Sequence, residues 1–267
     1  IRYVVENAGG EALGDDRVRA YGKTIIARAF PIGIDPDSVF EMAHTPEADA
    51  HMARLQRRSM ANMFVLGVDR LDYTKGLPGR MRAFRRLLEL YPDLRKRVTM
   101  MQIAPPTREE VEAYTDIRQE LEGLSGSING EFGDFDWTPV RYIHRAIPRA
   151  TLAALFRASQ AGLVTPLRDG MNLVAKEYVA SQDPEDPGVL VLSKFAGAAE
   201  DLVEAIPVNP YDTDEVAEAL HTALTMPVAE RRERYESLIV RVRKNNVTRW
   251  RETFLEALRS APVERAS

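Results

Sequence analysis

The chain contains no cysteine, which excludes a disulfide framework, a thiol nucleophile and a thiolate metal site together. Histidine is sparse as well: His44, His51, His144 and His221 show no ligand-like spacing with carboxylates, so a zinc site is not expected. No apolar run approaches the ~20 residues that a membrane-spanning helix requires, and the opening IRYVVENAGG is not a signal peptide. The formal charge is only -4, with lysine and arginine scattered along the chain, which argues against nucleic acid as the main partner. There is no GxGxxG after a strand, no serine nucleophile elbow and no internal repeat, and YTKG at 73–76 has the wrong order for a GxxxxGKS/T phosphate loop. A soluble, cytoplasmic protein is the default expectation, with a homo-oligomer left open.

What is present is a regular alternation of apolar runs and amphipathic helices from Met63 onward, the signature of a doubly wound parallel α/β sheet. Strands are expected at Met63–Val68, Val98–Ala104, Val140–His144, Gly162–Thr165, Val189–Leu192 and Ala205–Val208. Helices fill the intervals. Leu77–Tyr91 carries Met81, Phe84, Leu87 and Leu88 on one face and stops before Pro92, and Thr107–Leu124 opens on a capping box and exits at Gly123 and Gly126. Arg149–Ala158, Met171–Ser181, Thr213–Met226, Val228–Arg243 and a last helix capped by Asn246 and running through Leu258 follow, with a frayed tail at 261–267. Before the alternation, Glu6–Asp16 reads as a turn-rich loop, Lys23–Phe30 as a strand, Asp35–Ala43 as one or two helical turns, and a Thr45-capped surface helix runs to about Met60.

In a sheet of this kind ligands bind beyond the carboxyl ends of the strands. Arg70, Arg108 and Asp169 to Asn172 all follow strands directly, so one crevice brings them together, and Lys75 joins if its loop folds over the site. Arg70 and Lys75 suit a diphosphate, as a planar fork and a mobile point charge. In TPLRDGMNLVAKEYVA, 165–180, Gly170 permits close backbone approach, and the first amides of the following helix point at whatever lies above the strand ends. The competing reading of each residue is a solvated surface charge or an ordinary strand-to-helix turn.

Two long segments, GVDRLDYTKG at 67–76 and TPLRDGMNLVAKEYVA, resemble the trehalose-6-phosphate synthases, retaining glycosyltransferases of the two-domain GT-B type. The likeness continues through QIAPPTREEVEAY, INGEFGDFDWTPVRYIH and GVLVLSKFAGAAEDL, which is most of the chain. The resemblance implies a Rossmann-like, carboxyl-terminal half of a GT-B enzyme. It implies residues 1–44 as a remnant of an amino-terminal acceptor-side domain, 45–61 as a linker helix, 62–244 as the nucleotide-sugar-binding domain, and 245–267 as a crossover helix and tail. Beginning at Ile1 without methionine, the chain is expected to be a truncated donor-binding part that turns over slowly or not at all.

The implied reaction moves glucose from a nucleotide sugar to glucose 6-phosphate with retention, without cofactor or metal. UDP-glucose is the expected donor, GDP- and ADP-glucose staying open. By resemblance Arg70 and Lys75 hold the diphosphate and stabilise its leaving charge, and Asp169, Gly170, Met171 and Asn172 line the glucosyl group. Leu173 and Val174 would offer backbone to phosphate and ribose, with Ala175 and Lys176 in the same donor segment. Glu177 would clamp the ribose hydroxyls, Ile147 would contact the base through its main chain, and Arg108 would bind the acceptor phosphate. Asp134-Phe135-Asp136 spells a DxD but lies in a glycine-bearing loop, and no metal role is assigned to it. Alternatives that remain are a glucosylglycerol-phosphate synthase, a pseudo-glycosyltransferase, and a non-catalytic nucleotide-sugar-binding module.

Overall fold

Six apolar runs of the sequence become six parallel strands, and their order in the sheet decides where a ligand can sit. The computed structural model describes residues 1–14, 16–57, 63–106 and 112–260. In chain order the helices are α1 (Arg2–Asn7), α2 (Pro36–Ala43), α3 (Pro46–Arg57), α4 (Leu77–Leu90), α5 (Glu112–Phe132), α6 (Arg149–Arg157), α7 (Leu173–Ser181), α8 (Thr213–Thr225), α9 (Val228–Lys244) and α10 (Val247–Arg259). The strands are β1 (Glu11–Gly14), β2 (Arg17–Ala20), β3 (Lys23–Ile26), β4 (Met63–Val68), β5 (Val98–Ile103), β6 (Val140–Ile143), β7 (Ala161–Val164), β8 (Val189–Ser193) and β9 (Ile206–Val208).

Two compact units divide the chain: Ile32–Arg249, and Ile1–Pro31 together with the chain from Trp250 onward. In the larger unit the parallel sheet runs β6-β5-β4-β7-β8-β9. Numbered within that sheet this is the order 3-2-1-4-5-6, whose direction reverses between β4 and β7 and opens a crevice there. Strands buried on both faces should read as nearly unbroken apolar runs, and they do: in β4, Val65 faces one core with Met81, Phe84 and Met100, while Phe64, Leu66 and Val68 face the other with Met101, Tyr178 and Leu192. Helices α4, α5 and α8 cover the first face, and α2, α6, α7 and α9 the second.

The expected boundary at residue 44 is not where the compact units separate, because α2 packs on α6 and α7 and so belongs to the sheet's own layer. Asp35 caps α2 by accepting from the Ser38 amide at 3.2 Å.

Three expectations need correction. Helix α5 does not leave at Gly123 or Gly126 but continues to Phe132. These glycines have open space around them, so each costs the helix only about 1 kcal/mol relative to alanine, while fully buried Leu121 and Ile128 anchor it to the core. Glu6–Asp16 is not all loop either. It holds the end of α1 and strand β1, which pairs antiparallel with β2, and β2 with β3. Every residue of β1 is exposed, so it carries no alternation to read, and the β2–β3 turn is made by Tyr21 and Gly22 at φ 56 and 71 in place of a plainer Asn-Gly. The strand expected to reach Phe30 ends at Ile26.

In the smaller unit Trp250 Nε1 donates to the Phe30 carbonyl at 3.1 Å and its ring stacks on Phe254, which is half-exposed. The capping box expected at Thr107–Glu110 and the frayed tail expected at 261–267 lie outside the described residues. Among the described residues, no helix is long and apolar enough to cross a membrane.

Candidate functional site

Above the reversal of strand order, three loops are joined by backbone hydrogen bonds. The first follows β4. Asp72 accepts from the amide and the hydroxyl of Thr74, both at 2.8 Å, which winds Tyr73–Lys75 into one short turn. Gly76, at φ 66, then starts α4 with its backbone against the Thr165 carbonyl, so close that a Cβ would lie 2.4 Å from that oxygen. The Thr74 carbonyl accepts from the Leu167 amide at 2.8 Å, so this loop holds the second, which follows β7. The third follows β8. The Asp169 amide donates to the Phe195 carbonyl at 3.1 Å, the Gly197 amide to Asp169 at 3.0 Å and the Ala198 amide to Met171 at 2.7 Å. Ser193 Oγ donates to the Pro166 carbonyl at 2.7 Å. The SKFAGAAEDL segment thus closes on the RDGMN loop.

Side chains converge at the same place. Lys75 Nζ lies 2.6 Å from Asp169 Oδ2, and both groups are mostly shielded from water. The same carboxylate accepts from Asn172 Nδ2 at 3.1 Å and from the Met171 amide at 3.3 Å. Burial pushes the Asp169 carboxyl up, but the hydrogen bond and charge of Lys75, with the Met171 and Asn172 donors, outweigh it and hold the group below the ordinary carboxylate range. Asn172 caps α7, its Oδ1 accepting from the Ala175 amide at 3.1 Å, with the backbone at φ 77 and ψ 93, outside the ordinary left-handed well. Such a conformation costs about 1–3 kcal/mol and persists where the surroundings over-determine it, as they do here through two side-chain bonds. The cap leaves the Leu173 and Val174 amides without partners inside the helix, at its positive end.

Arg70 is exposed at the end of β4, and among the described residues no side chain pairs with it. Gly170 is exposed at the mouth of the second loop. Glu177, one turn further into α7, is mostly enclosed, with Arg149 3.8 Å from its carboxylate. Burial pushes its carboxyl above the ordinary range, and Arg149 only partly opposes this. Ile147 lies partly buried in the loop after β6, packed on the core.

Lys176 departs from the expectation for a donor-binding side chain. It is fully enclosed, its Nζ 3.3 Å from the Ile32 carbonyl and 3.3 Å from Asp201, so the side chain serves the packing of α7. Ala175 is also buried, its amide spent on the Asn172 cap. Arg108 lies outside the described residues. Asp134 of the DxD pairs with Lys96, ahead of the start of β5, at the end of the sheet opposite the crevice.

Sequence reasoning missed one group. Arg80 is fully buried beneath the loops, donating from Nη2 to Asp69 at 2.7 Å, from Nη1 to Gln102 at 3.2 Å and from Nε to Thr165 at 3.1 Å. A signal existed: Arg80 occupies the apolar stripe Leu77, Met81, Phe84, Leu87, Leu88 at helical spacing, and a charge in such a stripe implies a buried partner. Burial pushes the Asp69 carboxyl up while the guanidinium pulls the other way. Removing one member of such a pair costs about 3–5 kcal/mol.

Comparison with known proteins agrees with this architecture. The sequence model of Glycosyltransferase family 20 matches residues 6–260. The chain is 51% identical over 252 residues to a trehalose-6-phosphate synthase of Sodalis glossinidius, covering 94% of this chain and 53% of that protein. It is 50% identical over 246 residues to one from Klebsiella pneumoniae, covering 92% of this chain and 52% of the relative. The chain therefore spans about half the length of the curated relatives it matches. Among solved structures, an alpha,alpha-trehalose-phosphate synthase (UDP-forming) from Burkholderia xenovorans in complex with glucose-6-phosphate superposes with a TM-score of 0.94 at 51% identity, over 97% of this chain and 57% of that one. A second, from E. coli and bound with UDP-2-fluoro glucose, gives 0.91 at 44% identity, over 97% of this chain and 57% of that one.

Proposed function

This chain belongs to glycosyltransferase family 20, and on that premise we propose that its crevice is the donor side of a retaining glucosyl transfer from UDP-glucose to glucose 6-phosphate, yielding α,α-trehalose 6-phosphate. One observation carries the reading. Lys75, Asp169 and the capped start of α7 meet where the strand order reverses, and the exposed Arg70 follows β4 at the same end of the sheet. Residues 62–244 are, in this reading, the donor-binding domain.

The chemistry follows from charge. When the bond between the anomeric carbon and the diphosphate oxygen breaks, negative charge accumulates on the departing phosphate. Arg70 and Lys75 neutralise it from the side chains, and the free amides at the head of α7 from the main chain. The acceptor hydroxyl oxygen attacks the same face of the anomeric carbon, and its proton passes to the leaving phosphate oxygen, so no enzyme base is consumed. Asp169 and Asp69 are both engaged and neither is free to act as a nucleophile. Asp169 is held by Lys75, Met171 and Asn172, and Asp69 is sealed under Arg80. Asp169 to Asn172 line the glucosyl group, Glu177 accepts from the two ribose hydroxyls with one oxygen each, the Ile147 main chain faces the base, and Arg108 receives the acceptor phosphate.

Lys75 has to exchange Asp169 for the diphosphate. A charge-assisted bond of this kind contributes about 1.5–3 kcal/mol, so Arg70→Ala and Lys75→Ala should each weaken UDP binding by about tenfold or more. Titration calorimetry with UDP measures it directly. Unchanged affinity in both variants would place nucleotide binding in another pocket.

A further inference from the structure

We propose that Arg80 is a positioning residue for the donor diphosphate, a buried pin that fixes the ends of β4, β5 and β7 so that Arg70 and the RDGMN loop stand in register across the crevice. The inference rests on the donor-site reading above and deepens it.

The three side-chain partners of Arg80 come from three strands or their ends. Asp69 immediately precedes Arg70 at the end of β4, Gln102 lies within β5, and Thr165 is the first residue past β7. Each nitrogen of the guanidinium serves a different partner, a planar arrangement that an ammonium group does not reproduce. Gln102 is fixed in turn, its amide nitrogen donating to the Gly67 and Ile103 carbonyls at 3.2 Å each. The backbone of β4 also stays attached to β5 beyond the last paired residues, the Asp69 amide donating to Ile103 at 3.2 Å and the Leu71 amide to Pro105 at 3.1 Å. Arg70 is thereby held between two anchored neighbours. On the other side of the crevice, Thr165 carries the Pro166–Asn172 loop, and its carbonyl abuts Gly76.

Room for this pin is built into the strand. A Cβ on Gly67 would lie 2.6 Å from Arg80 Nη1 and 2.6 Å from Gln102 Oε1. A buried ion pair is weak evidence for stability in itself, since apolar packing of equal volume often does as well. Its position under two phosphate-binding loops, with one donor per strand, is the geometry expected of a support that keeps binding groups preorganised.

The test uses Arg80→Lys, Thr165→Val and, as a control, Leu220→Ala, which truncates a fully buried side chain of α8 in the core that α4 shares. Melting temperature and UDP affinity are measured for each. The inference expects Arg80→Lys to weaken UDP binding by about tenfold or more and Thr165→Val by about threefold, because small displacements of binding groups are amplified in affinity. Leu220→Ala, at an equal or larger loss of melting temperature, should bind UDP within about twofold of the parent, since it disturbs packing without touching the strand ends. If Arg80→Lys does not fold, Thr165→Val, which keeps the Asp69 pair and nearly the same shape, decides the matter. Parent-like affinity in the folded variants, or losses no greater than the control's, would overturn the inference while leaving the donor site intact. Failure of the parent chain itself to bind UDP would instead overturn the donor-site reading, and the inference with it.

Discussion

Glu177 combines two properties that pull in opposite directions. Its carboxyl is raised by burial, so ionisation near neutral pH opposes folding. A carboxylate with a raised folded-state pKa takes up more protons in the folded chain, and stability therefore falls as pH rises from the ordinary carboxylate range through the raised value. Glu177→Gln should raise the melting temperature at neutral pH, with the gain fading toward acid. The same change should weaken UDP binding by about tenfold. A neutral-pH melt and a calorimetric titration on the one variant check both halves. Asp169 behaves the opposite way. Its depressed pKa contributes stability that is present above the unfolded-state value and lost only as pH falls through the folded-state value, below the ordinary carboxylate range. The stability difference between parent and Lys75→Ala should hold across mildly acid pH and shrink only at that low end, as acid-unfolding curves of the two proteins would record.

At the level of elements, the same substitution should have opposite signs in two places. A Cβ at Gly197 would lie 2.1 Å from the Gly170 carbonyl oxygen, where the third loop crosses the second, so the backbone has to move. Gly197→Ala is expected to destabilise by about 1–3 kcal/mol and to weaken UDP binding with it. Gly123 lies inside α5 with nothing within 4 Å of its added Cβ. Gly123→Ala should stabilise by about 0.5–1 kcal/mol and leave UDP affinity unchanged. Chemical denaturation of both variants tests the pair. Apolar periodicity had located the strands and most helices, but it does not weigh a glycine. The end of α5 was therefore misread, because the cost of solvent-facing glycines is small beside the burial of Leu121 and Ile128.

For the molecule as a whole, nucleotide binding is the expected property. This chain carries the groups assigned to the donor, and it spans about half the length of its curated relatives. The 267-residue chain is expected to bind UDP. Calorimetry with UDP measures this on the chain itself, and absence of binding would contradict it.

Alternating apolar runs and helical stripes determined the six-stranded α/β sheet from the sequence alone, because strands buried on both faces and helices buried on one leave periodicities in the chain. Loop residues Arg70, Lys75 and Asp169–Asn172 were legible as candidates, since charges and glycine placed directly after strands serve the packing little. What the chain does with Arg80 and Lys176 was decided by tertiary structure. Both are cations in α-helices, and although the apolar stripe around Arg80 marks that position for burial, only the assembled sheet encloses the two side chains and supplies Asp69, Thr165, Gln102 and Asp201 as their partners. The meeting of Lys75 with Asp169 likewise depends on strand order, because adjacency across a parallel sheet comes from long-range pairing and leaves no mark in neighbouring residues.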